Sequence, residues 1–377
     1  MRIVHVTRQF PPGLGGIEEV VAQLVEAQAR AGHDVRVLTL DRIFTDPETR
    51  LVARDEWMGA QVLRFPYRGS MRYPLAPAVL AHIGDADVVH VHAIDFFFDF
   101  LSFTRPFHRR PMVATTHGGF FHTQAHARLK KLWFATVTRL AARGYDAIVA
   151  CSQPDFEMFA PIAPGNLRLI ENGVDIGKFA GLASPTPGKR LVSIGRLSFN
   201  KRPDRLLDAL VELRKRDQAF ELDMVGAEFD WTGEKLAAEV AARGLQSAVR
   251  LHIGARNEEI ARVVAGASLY VSASVHEGFG IALIEALSAG LLPVVEANAA
   301  FKSFAARAPD VTLIDFSQPA AAAEAIVDAY RRLEADPAAL RARLIAAAQP
   351  FAWPGVAERY IALYREVASS GAAIASV

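Results

Sequence analysis

The sequence predicts an α/β protein of two doubly wound domains in tandem, with a cleft between their sheets. Three observations predict it. Short apolar, β-branched runs alternate with longer amphipathic ones along the chain, the pattern of parallel strands joined by crossover helices. At 377 residues, 51% of them hydrophobic, the chain exceeds one ordinary core and suits two. The alternation also breaks once, at the turn Asn172-Gly-Val-Asp175 and the linker-like Gly181-Leu-Ala-Ser-Pro-Thr-Pro-Gly-Lys189, and then restarts.

In the first cycle, Ile3–Thr7, Val35–Leu40, Val62–Phe65, Val88–Val91, Met112–Thr116, Ala147–Ala150 and Leu167–Ile170 read as strands, and Gly16–Ala31 and Ala125–Arg143 as helices. In the second, strands at Leu191–Gly195, Glu221–Val225, Val249–Ile253, Leu269–Ser272, Leu292–Val295 and Thr312–Ile314 alternate with helices. Those helices lie near Pro203–Arg216, Glu234–Arg243, Asn257–Ala265, Gly280–Ala289 and Ala320–Glu334. Tyr360, Leu363, Tyr364 and Val367 share one face of a closing helix. The expected domains are therefore 1–180 and 181–350, with 351–377 a C-terminal helix crossing back to the first domain, and a tail.

Composition narrows the function. With 42 Lys and Arg against 41 acids, the net charge of +1 gives no global field for nucleic acid. The single cysteine, Cys151, excludes an internal disulfide framework, and no Cys/His cluster has zinc spacing, so neither metal nor cofactor is implied. The N-terminal apolar run is too short for a signal peptide, and no uncharged stretch is long enough to span a bilayer. A cytoplasmic setting is expected.

Four constellations carry chemistry. Glu277-Gly-Phe-Gly-Ile-Ala-Leu-Ile-Glu285 sets two carboxylates across a glycine-punctuated helix start. The free N–H groups of such a start bind anions, and an acid at each end could read the sugar and the ribose of a nucleotide sugar. A Glu-x7-Glu spacing taken alone also fits an ordinary solvated helix. Gly195-Arg-Leu-Ser-Phe-Asn-Lys201 places Arg196 and Lys201 at the carboxyl edge of a strand, where open α/β sheets bind ligands, and a planar fork beside a point charge suits a diphosphate. Gly13-Leu-Gly15-Gly16 follows the first strand as a phosphate-facing loop, or as a tight turn. His117, in Thr116-His-Gly118, ends another strand and would face the cleft.

Gly15-Gly16-x-Glu18, Thr116-His117-Gly118, Glu171-Asn-Gly-Val-Asp175, Gly195-Arg196-Leu197 with Lys201, and the Glu277–Glu285 motif resemble, nearly end to end, the retaining glycosyltransferases of family 4. The resemblance implies the GT-B fold, two Rossmann-like domains facing a cleft. It also implies that Glu277 contacts the donor sugar, Glu285 the ribose, and Arg196 and Lys201 the leaving diphosphate. Gly15 and Gly16 would close on the phosphates, with backbone N–H groups of Gly278, Phe279, Gly280 and Ile281 completing the cradle, and His117 would sit near the reacting carbon. The resemblance implies front-face transfer with electrostatic catalysis, and the sequence shows no obvious general base.

Further pieces, among them Arg72-Tyr-Pro-Leu-Ala-Pro, Ile94-Asp-Phe-Phe-Phe-Asp and Arg128-Leu-Lys-Lys-Leu-Trp-Phe-Ala-Thr-Val-Thr-Arg139, resemble one branch of that family. Its members transfer mannose from GDP-mannose, in α-1,3 linkage, to a disaccharide on polyprenyl diphosphate during exopolysaccharide assembly. From Phe100 through Tyr145 there is no acid, against eight Lys or Arg interleaved with aromatics. Arg128, Lys130, Lys131, Trp133, Phe134 and Arg139 are thus candidates for a lipid-linked acceptor and an anionic membrane surface, on the inner face of the cell membrane. A solvated basic helix is the plainer reading, and Ile94–Phe100 could be an exposed rim or core. A UDP-sugar donor, another acceptor, or a non-catalytic nucleotide-sugar binder are the alternatives.

Overall fold

A computed structural model describes residues 1–13, 15–71, 73–118 and 131–375, with side chains through Ser369. The chain divides into two units: Met1–Gly173 with Trp353–Val377, and Val174–Ala352.

The first unit holds an eight-stranded sheet. Its strands are β1 (Arg2–Val6), β2 (Asp34–Leu40), β3 (Arg54–Trp57), β4 (Ala60–Phe65), β5 (Val88–His92), β6 (Met112–Thr115), β7 (Ala147–Ala150) and β8 (Leu167–Leu169). They are ordered β8-β7-β6-β5-β1-β2-β4-β3, and all pairs are parallel except the edge hairpin β3–β4. The order reverses at β1, which pairs with β2 on one side and β5 on the other, so the crevice at their carboxyl ends is a switch point.

Alternation sorts each strand between two cores. Val4 and Val6 of β1 and Val89 and Val91 of β5 face the cluster completed by α2 (Phe96–Phe103) and by Phe159 of α3 (Gln153–Phe159). Ile3 and Val88 face the opposite cluster, under α1 (Gly16–Arg30) and the last helix, Trp353–Ala375, which belongs to this unit. Trp353 lies against Gly173 so closely that a Cβ there would sit 2.4 Å from the indole, which is why a glycine stands at this crossing. The Phe96-Phe97-Phe98 run is core, each ring at most 9% exposed, and forms no rim.

The second unit is a six-stranded, fully parallel sheet. Its strands are β9 (Arg190–Ile194), β10 (Glu221–Gly226), β11 (Val249–Ile253), β12 (Leu269–Ser272), β13 (Leu292–Glu296) and β14 (Thr312–Ile314), in the order β11-β10-β9-β12-β13-β14. Its switch point lies between β9 and β12. Residues ahead of the expected linker already belong here. Val174 N donates to Phe351 O, Gly181 N to Ser288 O and Ala183 N to Ala289 O, so the boundary falls after Gly173 rather than at 180. Composition marked the loop, while backbone pairing decided which unit owns it.

Candidate active site

In the second unit the loop leaving β9 carries Arg196 and Lys201, and the loop leaving β12 carries Glu277. Asn200 ties the two loops together. Its Nδ2 donates to His276 O at 3.0 Å, its carbonyl accepts from Val275 N at 2.8 Å, and its Oδ1 holds Ser198 Oγ at 2.5 Å. That bracing brings Lys201 Nζ to Glu277 Oε1 at 2.5 Å, with the side chains 25% and 13% exposed. Residues 76 apart in sequence thus form one ion pair. Arg196 does not join it: it is exposed, and its guanidinium lies 5.1 Å over the Phe229 ring.

Glu277 leads into Gly278, Phe279 and Gly280, then the helix Ile281–Ala289, which begins as the sequence expects. No side chain caps its N-terminus. Gly280, the N-cap residue, has φ +92°, a left-handed conformation open to glycine, and a Cβ there would stand 3.0 Å from Phe301. First-turn N–H groups and the dipole are therefore left for an anion. Phe279 is buried and packs on Phe351, holding the loop down, while Ile281 is half-buried.

Glu285 does not sit as a solvated helix residue. It is 8% exposed and accepts from Lys178 Nζ at 3.0 Å. The sequence reading missed Lys178; its signal was a cation just past the Glu171–Asp175 motif. Burial, then the Glu277 and Glu285 charges, push the Tyr270 hydroxyl well up, which keeps it a neutral floor for both acids.

In the first unit, Gly15 precedes α1 and Gly16 opens it, again without a side-chain cap. Gln9 holds the neighbouring loop, donating to Arg42 O at 2.7 Å and accepting from Phe44 N at 2.9 Å. Arg8 pairs with the buried Asp95 at 2.9 Å, and Asp95 caps α2 through Phe97 N. Burial raises the Asp95 and Asp99 carboxyls to about 6. A recess of about 290 Å³ opens here, lined by Arg8, Gln9, Glu18, Phe44, Met71 and His92 among others.

His117 lies two residues past the end of β6, half-buried, with φ +49°. The turn that carries it is braced by buried Asp155, whose carboxylate accepts from Thr116 Oγ1 and Cys151 N. His117 Nε2 meets His92 Nδ1 at 3.0 Å, so its ring is the outer end of a buried histidine cluster. Burial lowers it to about 4. The sequence reading missed His5, His90 and His92. Their signal was period-2 placement in strands: Ile3 with His5, and Val88 with His90 and His92, share a face.

Of the basic candidates, Lys131, Trp133 and Arg139 are exposed, and Phe134 packs edge-on against Phe159. Arg128 and Lys130 lie outside the described residues. The helix expected over Ala125–Arg143 has, in its described part, a π-helical turn at Phe134–Thr138 running into Arg139–Ala142. No helix among the described residues is long and apolar enough to cross a membrane.

Residues 14–178 match the family model "Glycosyltransferase Family 4", and residues 177–350 match "Glycosyl transferases group 1". The chain is 42% identical over 368 residues to a GDP-mannose:cellobiosyl-diphosphopolyprenol alpha-mannosyltransferase of Xanthomonas oryzae, covering 97% of each chain. A protein of the same name from Komagataeibacter xylinus is 39% identical, covering 97% of this chain and 93% of that one. Among solved structures, sucrose-phosphate synthase from Thermosynechococcus elongatus superposes with a TM-score of 0.73 at 19% identity, covering 98% of this chain and 99% of that one. A glycosyltransferase from Rickettsia africae gives 0.73 at 16%, covering 97% and 98%. The two-unit α/β fold is that of the GT-B enzymes.

Proposed function

The chain belongs to glycosyltransferase family 4, and from that premise we propose that it moves mannose from GDP-mannose, with retention and in α-1,3 linkage, to a polyprenyl-diphosphate-linked disaccharide in exopolysaccharide assembly. The observation that carries the reading is the Lys201–Glu277 pair held beside the uncapped start of the helix Ile281–Ala289. It sets a cation, a row of N–H donors and a carboxylate where a sugar diphosphate needs all three. The sugar and the acceptor rest on what the relatives of about 40% identity are named for.

In the reaction the bond from C1 of the sugar to the diphosphate oxygen breaks, an acceptor hydroxyl oxygen bonds C1 on the same face, and its proton passes to the departing phosphate oxygen. Lys201, Arg196 and the helix start stabilise the charge that grows on the diphosphate, the largest contribution expected of such a site. Glu277 accepts from hydroxyls of the transferred sugar and Glu285, steadied by Lys178, from the ribose. These cations take the place of a divalent metal, and Glu277 is already bound to Lys201.

The acceptor saccharide enters the first unit's recess beside Arg8, Glu18 and Phe44. Its lipid end stays with an anionic membrane surface. Phe107 is 84%, Leu132 60% and Leu140 54% exposed, and Ser102 Oγ donates to Ala141 O, joining two of the segments that present them, with Arg105, Arg109, Arg139 and Arg143 close in sequence.

A donor panel tests this: GDP-mannose, UDP-glucose and UDP-galactose, each with cellobiosyl-diphosphopolyprenol. An α-mannosylated lipid formed from GDP-mannose is expected. Turnover only with a UDP-sugar would keep the family and discard the donor. Sedimentation with anionic vesicles at low salt tests the membrane surface, and protein left wholly in the supernatant would remove it.

A further inference from the structure

His5, on β1, and His90 and His92, on β5, are buried to 1% exposure or less. Each of their ring nitrogens has a partner, and the partners join into one chain. It runs from His117 Nε2 to His92 Nδ1 (3.0 Å), His92 Nε2 to His5 Nδ1 (2.9 Å) and His5 Nε2 to Gln28 Oε1 (2.7 Å). Beyond the amide, Gln28 Nε2 reaches Tyr364 Oη (3.3 Å), Tyr364 Oη reaches His90 Nδ1 (2.6 Å), and His90 Nε2 reaches Thr115 Oγ1 (2.8 Å), which meets Tyr360 Oη at 3.1 Å. Three strands (β1, β5 and β6), α1 and the C-terminal helix all contribute.

A neutral imidazole has one donor and one acceptor nitrogen, so a chain of neutral rings points one way throughout. Gln28 sets the direction. Its amide oxygen accepts only, so His5 donates from Nε2 and accepts at Nδ1. His92 must then donate from Nε2 and accept at Nδ1, and His117 must donate from Nε2. On the other side the amide N–H donates to Tyr364, whose O–H donates to His90 Nδ1, leaving His90 to donate to Thr115. Burial keeps the rings uncharged: it lowers His5 and His117 to about 4, and His90 and His92 well below their ordinary value. Ala93, which follows His92, has φ +70° and His117 has φ +49°. Left-handed backbone at two non-glycine residues marks the junctions that align these rings.

We propose that Gln28, His5 and His92 are positioning residues that hold His117 as the uncharged Nε2–H tautomer, so that its Nδ1 stands as a hydrogen-bond acceptor for a hydroxyl of a saccharide bound at this edge of the first unit. This rests on the function proposed above, in which a saccharide substrate enters the first unit's recess, lined by His92. The opposite tautomer would present a proton donor there. An imidazolium would offer two donors and no acceptor. The three buried rings also offer nitrogens within 4.8 Å of one another, a spacing a metal ion could use. Every one of those nitrogens is already engaged in the chain, so metal binding and the relay exclude each other.

The test is ¹⁵N NMR of the full-length protein labelled at histidine, with the His117 signals assigned by their loss in His117→Asn. Expected at neutral pH is a protonated Nε2 and an unprotonated Nδ1. A His117 found as the Nδ1–H tautomer, averaging between tautomers, or titrating near its ordinary value overturns the proposal. So does a stoichiometric transition metal in the isolated protein that disappears in His5→Gln. Gln28→Met removes the amide at similar volume. It is expected to mix the His117 tautomers and lower kcat about 10-fold while the KM for GDP-mannose moves less than about 2-fold. Gln28→Glu, which still accepts from His5 Nε2, should restore the tautomer and most of kcat. A Gln28→Met enzyme with parental tautomer and kcat overturns the proposal; if that variant does not fold, the parental spectrum and Gln28→Glu still decide. Because the spectrum needs no substrate, failure of GDP-mannose turnover would sink the proposed function alone, and a wrong tautomer in an active transferase would sink only the relay.

Discussion

In the first unit's sheet the clustered candidate side chains are uncharged rings packed beneath the C-terminal helix, whereas at the carboxyl edge of the second unit's sheet they are ion pairs partly open to solvent. Both edges lie at switch points of parallel sheets, and both carry an uncapped helix start at a glycine. What differs is how charge is handled. The second unit sets Lys201 against Glu277 and Lys178 against Glu285, an arrangement of opposite charges that suits a leaving group whose negative charge grows. The first unit holds three buried histidines and the half-buried His117 neutral by desolvation, which suits hydrogen bonds to an uncharged saccharide.

The strongest way to break this contrast is Lys201→Ala. Removing one charge-stabilising donor of this kind costs about 10²–10³ in kcat, or ~3–4 kcal/mol on the barrier, with a smaller change in donor affinity. Steady-state kinetics beside donor titration calorimetry measures both, and equal turnover in variant and parent would remove Lys201 from the role.

Next comes the neutral side. Burial lowers His5 to about 4 in the folded protein, against an ordinary value of 6.5. Its native form therefore takes up fewer protons than the unfolded chain between those values. Its contribution is complete above 6.5 and is lost as pH falls towards 4, by about 3 kcal/mol in all. Asp95 and Asp99, raised to about 6, act in the opposite direction over the same window. The comparison is therefore between variant and parent: Tm of His5→Gln should fall less steeply from pH 7 to 4.5 than Tm of the parent. An unchanged slope would mean that His5 is not a buried neutral ring.

Glu277→Gln and Glu285→Gln sharpen the division within the second unit. The first should lower kcat, by about 10-fold or more, with the donor KM little changed. The second should raise the donor KM by about 10-fold, with kcat nearly kept, since losing a charge-assisted hydrogen bond costs ~1.5 kcal/mol. Matching effects from both would show that the acids do not divide sugar from ribose. The smallest expected effect is that of a chelator. With Lys201 and Arg196 serving the diphosphate, EDTA should leave the rate unchanged, and a rate restored only by added Mg²⁺ or Mn²⁺ would assign the second unit a metal instead.

The second unit's site was largely legible because its chemistry is local. Glu277 through Glu285 is one loop and one helix turn, and Gly195 through Lys201 is one strand edge, so spacing and glycine placement carry the information. The pairing of Lys201 with Glu277 was not legible, because it depends on Asn200 bridging two loops. Lys178 on Glu285 was hidden for the same reason. The histidine relay was the least legible element. His90 and His92 look like polar interruptions of a strand, and Gln28 and Tyr364 like ordinary residues of amphipathic helices. Only the stacking of α1 and the C-terminal helix on one sheet face makes partners of them.

By itself the sequence determined the periodicities, and with them two parallel sheets, their crossover helices and the carboxyl edges where ligand-binding loops must emerge. It also determined local conformation wherever one residue type dictates it, as Gly280 does at its positive φ. The tertiary structure decided which ionisable groups meet, which are stripped of water, and so which carry charge. Gln28 and Tyr364 are 336 positions apart and share a hydrogen bond. Desolvation and hydrogen-bond direction depend on neighbours in space, and no period along the chain encodes them.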